Sequence, residues 1–540
     1  FLSEIRSMNL LADEEGLTLN SQEREQLKQL ADDYYASLTD ADKAYIKASR
    51  DDVYTMYEAY HRANKLVDEL TKDVSLEISD SEARVIQVQE IAVSEDGGRI
   101  FCLNASLMNG YRDCGVAEIY ASEEAPGQER TVLTLACFDL DRTISERVLR
   151  FNRTNTEYRI NVKDYSAYNT ESARDAGYTR LNAEIVSGKA PDLFCTKDLP
   201  VQTYAARGLL EDLWPYIEGD DELGGREALV QPLFQALTVK GKLYQIAPSF
   251  LIYTVIGPKE TVGNTMGWTF EEFFAAYEKM PEGCDVMNSY MTRDSALTAS
   301  LCLCVNQFID WEKGACSFDT EEFRNLIRFS ELFPETAEYN GADAYQRIVG
   351  GEQMLLYAAL FDFSDITMHT DFLGDEAVYV GLPGTGGNGS AFEVQQGLAM
   401  SSSCQYKDAV WEFMREILDE DYQLDSVGLY VSGFPSNKAA FDKLLEEAST
   451  PELDANEKEI PRGGRSAGSG AVHPIYAMTE DQRSAFLALL ESTTAMRYWD
   501  EAVMEIVFDE VGAYYNGDKT LEQVTANIQK RAKVYVSEQS

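Results

Sequence analysis

The sequence predicts an α/β protein preceded by a helical segment, and three observations support this. The chain has 540 residues, of which 44% are hydrophobic and 11% aromatic, so it can bury a large core. From Thr131 onward, short apolar runs alternate with helical periodicity, which favours a mostly parallel sheet. Residues 1–75 show helical periodicity alone, and we expect this helical segment to reach residue 83.

The N-terminal segment is predicted to be a helical hairpin. Apolar residues spaced every 3.6 positions predict a first helix through 27–38, with Asn20 and Glu23 as its N-cap and N3 residues. A second helix is predicted over 51–70. No glycine or proline occurs within 17–78, as expected for two helices joined by a short turn.

Residues 84–130 are predicted to form a short β segment followed by a linker. Alternating or β-branched stretches predict strands at 85–93, 99–103 and 116–120. A polar stretch with proline and glycine, 123–130, predicts a linker to the next domain.

The α/β region is predicted to begin with three strands, at 132–136, 158–162 and 192–195, separated by helices. The second half is richer in helix, with a strand-like piece at 377–382 and another at 391–399. Gly384 to Gly389 spells GxGxxG, but a strand-like stretch follows it where a dinucleotide site needs a helix, so we expect a loop.

Charge and motif content exclude several function classes. The 47 Lys and Arg residues against 92 Asp and Glu residues give a net charge of −45, which repels nucleic acids and anionic lipids. The three histidines are far apart and no CxxC occurs, so we expect no metal site and no cofactor. No GxSxG or Walker A motif supports an enzyme. Cys302 and Cys304 are expected to be buried thiols.

Two polar loops follow predicted strands of the sheet. Asp139 and Asp141 follow the first strand, while Lys197 and Asp198 follow the third. Ligands of parallel sheets bind beyond the carboxyl ends of the strands, so the loops converge if the strands are neighbours. The alternative is that these are ordinary polar loops, in which Asp198 caps the next helix.

The region from about 131 to 540 resembles a known family through several motifs in order. Ser-Gly-Lys-Ala-Pro-Asp-Leu-Phe at 187–194 is followed by Tyr-Ala-Ala-Arg-Gly-Leu-Leu-Glu-Asp-Leu at 204–213. Gly-Lys-Leu-Tyr-Gln-Ile-Ala-Pro at 241–248 and Gly-Phe-Pro-Ser-Asn at 433–437 come next. Together they resemble the family 1 extracellular solute-binding proteins, the sugar-capturing receptors of bacterial ABC importers.

This resemblance implies two α/β lobes with a ligand cleft between them and no catalysis. The implied first lobe comprises about 131–245 and 390–430, and the second about 246–389 and 431–540. It also implies a carbohydrate ligand, an ABC transporter permease as partner, a monomer, and an extracellular location. We expect the export signal and a lipid anchor to lie outside this sequence, which begins at Phe1.

The resemblance also implies which residues bind the ligand. The loops after the first and third strands match the family's first two sugar-contacting loops. The loop after Met354–Tyr357 is where the family often places a stacking aromatic, here a phenylalanine instead of the more usual tryptophan. The candidate ligand-binding residues are Asp139, Asp141, Lys197, Asp198, Phe361, Asp362 and Trp499.

The N-terminal segment has Leu-Thr-Leu-Asn-Ser-Gln-Glu at 17–23, followed by Tyr34 and Tyr35. Through this pattern, residues 1–93 resemble a different family, the helical segment of secreted parvulin-type foldases. Glu90 stands where the isomerase domain of those proteins has a histidine, and the stretch before Val132 is too short for that domain. We therefore do not expect isomerase activity. Two hypotheses remain: a carbohydrate receptor, or an exported foldase or chaperone-type lipoprotein that has a receptor-like domain.

Overall fold

The structure is a computed structural model, and it divides the chain into two compact units, Phe1–Arg130 and Thr131–Ser540. The residues it describes are 9, 12, 17–37, 49–71, 90–93, 99–105, 114–120, 130–170, 173, 175–311, 313–337, 344–374, 377–384, 387–427, 431–454, 456–466 and 472–539.

Among its described residues, the first unit contains the helices α1 (Ser21–Ser37) and α2 (Arg50–Thr71) and an antiparallel sheet of β1 (Glu90–Val93), β2 (Arg99–Ala105) and β3 (Cys114–Tyr120). The predicted cap is confirmed, because the Asn20 side chain accepts from Glu23 N at 2.9 Å and Glu23 Oε2 accepts from Asn20 N at 2.6 Å. Lys65 Nζ pairs with Glu23 Oε1 at 2.9 Å and joins the helices. The predicted boundary at residue 83 and most of the linker lie outside the described residues.

The second unit contains many more elements. Its helices are α3 (Arg142–Thr154), α4 (Ala176–Val186), α5 (Val201–Ala206), α6 (Trp214–Gly219), α7 (Gln231–Leu237), α8 (Lys259–Val262), α9 (Phe270–Tyr277), α10 (Arg293–Cys304), α11 (Glu321–Ser330), α12 (Ala344–Val349), α13 (Phe363–Leu373), α14 (Lys407–Arg415), α15 (Glu420–Ser426), α16 (Lys438–Ser449), α17 (Glu480–Ser492), α18 (Glu501–Tyr515) and α19 (Leu521–Gln539). Its strands are β4 (Thr131–Cys137), β5 (Tyr158–Asp164), β6 (Leu193–Cys195), β7 (Thr238–Val239), β8 (Lys242–Leu243), β9 (Ser249–Pro258), β10 (Ile309–Asp310), β11 (Ala315–Cys316), β12 (Leu356–Leu360), β13 (Ala377–Tyr379), β14 (Ala391–Gln395), β15 (Leu398–Met400), β16 (Phe434–Pro435), β17 (Glu452–Leu453), β18 (Glu459–Ile460), β19 (Gly463–Ser466), β20 (Val472–Ile475) and β21 (Ala495–Met496).

The first sheet of this unit has the order β15-β6-β4-β5. β4 pairs in parallel with both β5 and β6, with Leu135 opposite Val162 on one side and Leu193 on the other. The predicted α/β class and its parallel strands are confirmed. Leu135 and Leu193 are fully buried, which explains why the central strands lack polar alternation.

The second sheet is built around β9, the longest strand of this unit. Its main path is β12-β9-β14-β21, and β13 and β16 also pair with β9. β9 is antiparallel to β12 and β14, while β21 runs parallel to β14. Side chains of β9 are buried along nearly the whole strand, so this sheet is covered on both faces.

The predicted strand at 391–399 is in fact two strands in different sheets. β14 pairs with β9 of the second sheet, and β15 pairs with β6 of the first sheet. Gln396 between them has φ +54, and a Cβ at Gly397 would lie 2.1 Å from Thr196 Oγ1. The chain therefore crosses between the sheets at Gln396–Gly397. Residues 391–395 pair with the second sheet, whereas the prediction assigned them to the first lobe. The other lobe boundaries stay a prediction.

The second unit is stabilised by buried apolar residues on both sheets, and its cysteines belong to that core. Cys302 and Cys304 are buried thiols, as predicted, and burial raises the pKa of Cys302 to about 11. At neutral pH Cys302 is therefore protonated and unreactive. Among the helices that the structure describes, none is both long and apolar enough to cross a membrane.

Candidate ligand-binding cleft

The carboxyl ends of the parallel strands in the first sheet bring several predicted residues together. Asp139 follows β4, Asp164 ends β5, and Lys197 and Asp198 follow β6. Lys197 Nζ lies 3.4 Å from Asp139 Oδ2, and Asp139 N donates to Asp164 Oδ1 at 3.2 Å. The first and third loops therefore converge, as they must when β5 and β6 flank β4.

Asp198 does not cap the following helix. α5 begins after Pro200, and no side chain caps it by a hydrogen bond. Asp198 is exposed and has φ +58, a conformation that aspartate tolerates better than most residues. Its carboxylate is therefore not required by the start of α5, and the helix-cap alternative is wrong.

Asp141 does have a capping role. It is the N-cap of α3, and its Oδ1 accepts from Thr143 N at 2.8 Å and from Thr143 Oγ1 at 2.7 Å. Thr143 Oγ1 also contacts Gln396 Oε1 at the crossing between the sheets. Asp141 thus fixes the loop that bears Asp139.

In the second sheet, three strands end on the side where β9 begins. Leu360 of β12 lies opposite Ile252, and Gln395 of β14 lies opposite Ser249, the first residue of β9. β21 runs parallel to β14 and ends at the same side. The loops after these strands therefore lie toward the crossing into the first sheet.

Two exposed aromatics follow these strand ends. Phe361, 44% exposed, is held by its backbone, since its N–H donates to Asp365 at 2.6 Å and its carbonyl accepts from Gly433 N at 2.9 Å. Trp499 is 46% exposed, and its Nε1 donates to Glu501 Oε2 at 2.8 Å. Both rings are thus positioned without being buried.

Asp362, the neighbour of Phe361, is the N-cap of α13. Its Oδ1 accepts from Ser364 N at 2.8 Å and from Asp365 N at 3.2 Å, completing a capping box. Like Asp141, Asp362 stabilises a helix start that holds a neighbouring candidate residue in place.

An ion pair that the sequence analysis missed lies beside these ends. Arg497 pairs with Glu393, and its guanidinium carbon lies 4.6 Å from the centre of the Tyr253 ring. Arg497 N also donates to Phe392 O at 2.7 Å. The available signal was Glu393, a charged residue between the apolar Phe392 and Val394 of β14.

Tyr178 of α4 connects the two sets of candidates electrostatically. Burial raises the pKa of its phenol, and the charges of Asp198, Glu501 and Asp500 raise it further. Asp198 belongs to the first sheet's loops, whereas Glu501 is the partner of Trp499. Charges from both sets of loops therefore act on one half-buried tyrosine.

Glu184 holds α4, and with it Tyr178, against the first sheet. Its carboxylate accepts from Lys163 Nζ at 2.5 Å, Tyr165 OH at 2.7 Å and Arg180 Nε at 2.7 Å. Burial alone would raise the pKa of Glu184, but these hydrogen bonds lower it to about 2.

This lowered pKa predicts a pH-dependent contribution to stability. Glu184 stabilises the fold above its unfolded pKa of about 4.3, and that contribution is lost as the pH falls toward 2. Glu184→Gln should cost roughly 1–2 kcal/mol at pH 7, since two of its donors are partly in solvent. Urea unfolding at pH 7, 5 and 3 measures this, with the exposed Glu157→Gln as control. A pH-independent difference between wild type and Glu184→Gln would contradict it.

Acidic groups outnumber basic ones around the candidate cleft. At these strand ends, within the part of the chain that the structure describes, the acids are Asp139, Asp164, Asp198, Glu393 and Glu501. The cations Lys197 and Arg497 each pair with one of these acids. Among the described residues, no group of three or more His, Cys, Asp or Glu could hold a metal ion. The arrangement is suited to accepting hydrogen bonds from a ligand and to contacting apolar faces.

Solved structures from several bacteria match about three quarters of this chain at low identity. A sugar-binding protein MalE from Xanthomonas citri is 14% identical, covers 76% of this chain and 98% of its own, and has a TM-score of 0.46. An oligogalacturonide-binding protein from Yersinia enterocolitica is 16% identical, with 76% and 100% coverage and a TM-score of 0.46. An ABC substrate-binding protein from Listeria monocytogenes, solved with cycloalternan, is 17% identical, with 75% and 99% coverage and a TM-score of 0.42.

A family model described as bacterial extracellular solute-binding protein matches residues 146–458. No curated protein matches the chain. The family match does not include residues 1–93, so it does not support their resemblance to foldases, which stays a prediction. Because this family model matches more than half of the chain, the protein belongs to the bacterial extracellular solute-binding protein family.

Proposed function

We propose that the protein captures a neutral sugar or oligosaccharide between its two sheets and delivers it to the permease of an ABC importer. The observation that carries this proposal is the presence of two kinds of group at strand ends on either side of the crossing at Gln396–Gly397. Exposed carboxylates of Asp139 and Asp198 lie at the end of one sheet, and the exposed rings of Phe361 and Trp499 lie at the end of the other.

These groups are complementary to a carbohydrate. Sugar hydroxyls donate to carboxylates in charge-assisted hydrogen bonds, which are about twice as strong as neutral ones. The C–H faces of a pyranose pack against aromatic rings, where apolar area is removed from water. Binding a sugar through carboxylates and aromatic rings requires neither a cofactor nor a reactive nucleophile.

The local charge favours neutral sugars over sugar acids. Lys197 and Arg497 are both neutralised by an acid, which leaves Asp198 and Glu501 as a negative excess near Tyr178. A uronate brought to this site would meet like charges at close range, and such juxtaposition costs several kcal/mol in an interface.

A thermal-shift panel of neutral mono- and oligosaccharides tests the proposed function. A ligand present at 100 times its Kd should stabilise the protein by about 2.7 kcal/mol. Galacturonate and glucuronate should not displace the neutral sugar that binds best. Stabilisation by no neutral sugar, or displacement by a uronate at equal concentration, would count against the proposal.

We further propose that the receptor acts as a monomer at the outer face of the cell membrane, held there as a lipoprotein. An extracellular solute-binding family supports a location outside the cytoplasm. A receptor must also remain near its permease, which a lipid anchor would ensure.

The N-terminal unit is predicted to leave ligand affinity nearly unchanged. Residues 1–130 form a compact unit separate from the one that contains every candidate residue. Deleting residues 1–125 should therefore keep the Kd within about threefold, or roughly 0.65 kcal/mol. Calorimetric titration of both proteins with the same sugar measures this, and their melting curves show whether the truncated chain is folded. A tenfold loss from a folded truncated chain would show that the N-terminal unit shapes the site.

A further inference from the structure

The crossing at Gln396–Gly397 contacts both polar loops of the first sheet. Gln396 Oε1 contacts Thr143 Oγ1 at the start of α3, next to the loop that follows β4. Gly397 O accepts a hydrogen bond from Thr196 N at 2.8 Å, in the loop that follows β6 and leads to Asp198. Two adjacent residues of the crossing are therefore in contact with both loops that bear candidate carboxylates.

The backbone of the crossing is held on both sides. β14 ends at Gln395 in the second sheet, and β15 begins at Leu398 in the first sheet. A Cβ at Gly397 would lie 2.1 Å from Thr196 Oγ1, so this position requires glycine. The place of the Gln396 side chain is therefore set by one strand of each sheet.

The backbone conformation does not explain why residue 396 is glutamine. Gln396 has φ +54, in the left-handed region that glycine, asparagine and aspartate adopt more readily than glutamine does. Residues kept in a disfavoured conformation often have a functional role. What glutamine adds at this position is a half-buried side chain that contacts Thr143.

Thr143 connects this contact to the loop after β4. Its Oγ1 donates to Asp141 Oδ1 at 2.7 Å, and its backbone N–H donates to the same oxygen at 2.8 Å. Asp139, two residues before Asp141, lies 3.4 Å from Lys197 Nζ of the loop after β6. Loss of the Gln396 side chain would therefore loosen the loop that bears Asp139 without removing either carboxylate.

On its other side, the crossing is connected to the segment that bears Trp499. Gln395 Nε2 donates to Glu393 Oε1 at 3.0 Å, and Glu393 forms an ion pair with Arg497. Arg497, two residues before Trp499, also donates its backbone N–H to Phe392 O at 2.7 Å. Hydrogen bonds and this ion pair thus link the crossing to the aromatic side of the candidate cleft as well.

We propose that Gln396 is a positioning residue for the carbohydrate site. Through Thr143, its side-chain amide holds the loop after β4 at a fixed place relative to the second sheet. A sugar that contacts both sheets gains most when the two sets of groups are already in position, because less ordering is needed on binding. The effect on affinity rests on the proposed carbohydrate function, whereas the effect on the loop can be measured without a sugar.

Amide hydrogen exchange of the full chain tests the positioning of the loop directly. Gln396→Gly removes the side chain and keeps the backbone conformation, since glycine adopts positive φ readily. We expect the amides of residues 139–145 to exchange at least about threefold faster than in the wild type. Thr143→Val should have the same effect, whereas Thr143→Ser keeps the hydroxyl and should exchange like the wild type. Unchanged exchange in Gln396→Gly would overturn the proposal.

Calorimetric titration with the neutral sugar that stabilises the wild type most tests the effect on binding. Gln396→Gly and Thr143→Val should each weaken binding at least about fivefold. The double variant should lose no more than the larger single loss, because both substitutions remove the same contact.

Glu457→Gly is the matched control for the backbone. Glu457 is exposed, lies between β17 and β18, and has φ +62, so this substitution also replaces a left-handed residue with glycine. It should leave the Kd unchanged. Additive losses in the double variant, or an equal loss in Glu457→Gly, would overturn the proposal. If the wild type bound no neutral sugar, the proposed function would fail, and the exchange measurement would still decide whether Gln396 holds the loop.

Discussion

Replacing Asp198 with alanine should weaken carbohydrate binding by about 10- to 150-fold. A hydrogen bond to a charged acceptor contributes about 1.5–3 kcal/mol, and this range converts to that loss of affinity. Asp198 is exposed beside Lys197 at the end of β6, and no helix cap depends on its side chain. The Kd is measured by calorimetry with the sugar that stabilises the wild type most.

A second substitution at this position separates binding from stability. Asp198 has φ +58, so alanine should also lower the melting temperature, whereas asparagine tolerates this conformation and keeps an acceptor oxygen. We expect Asp198→Asn to melt like the wild type and to bind more weakly than it, but less weakly than Asp198→Ala. The control Asp221→Ala removes an exposed acid elsewhere and should change neither quantity. If Asp198→Ala bound the sugar with normal affinity and had only a lowered melting temperature, the assignment of Asp198 to the ligand site would be refuted.

Truncating either exposed aromatic should have the next largest effect. Trp499→Ala and Phe361→Ala should each cost at least ~1–2 kcal/mol of binding, or roughly 5- to 30-fold in Kd, as for other desolvated aromatic anchors. Phe361→Trp should retain affinity, because it restores a larger stacking ring at the same strand end.

The aromatic prediction has its own matched control. Tyr476 is 40% exposed and follows β20, which pairs with β19 and belongs to neither of the two main sheets. Tyr476→Ala should leave the Kd unchanged. If all three truncations weakened binding alike, or if neither Trp499→Ala nor Phe361→Ala did, stacking at these rings would be refuted.

The sequence was sufficient to predict which loops of the first sheet meet. Alternating strands and helices predict parallel neighbours, and parallel neighbours bring Asp139 and Lys197 to the same edge, where they lie 3.4 Å apart. Sequence position did not distinguish a ligand-binding acid from a helix cap. Asp141 and Asp362 both cap helices, and the Thr143 and Asp365 that follow them at cap spacing were the available signal.

Other features could not be predicted from local pattern. The positive φ of Gln396 ends β14 and sends the chain to the first sheet, yet glutamine has no special preference for that conformation. The pair between Glu393 and Arg497 joins residues about a hundred positions apart, and only the pairing of β14 with β21 brings them together. Such contacts depend on tertiary packing.

A crystal structure of the full chain with its best neutral sugar tests the central claim most directly. The account predicts one sugar between the two sheets, with a hydroxyl donating to Asp198 and a pyranose face on Trp499 or Phe361. A sugar bound to one sheet's loops alone, without contact to the other sheet's loops, would contradict it.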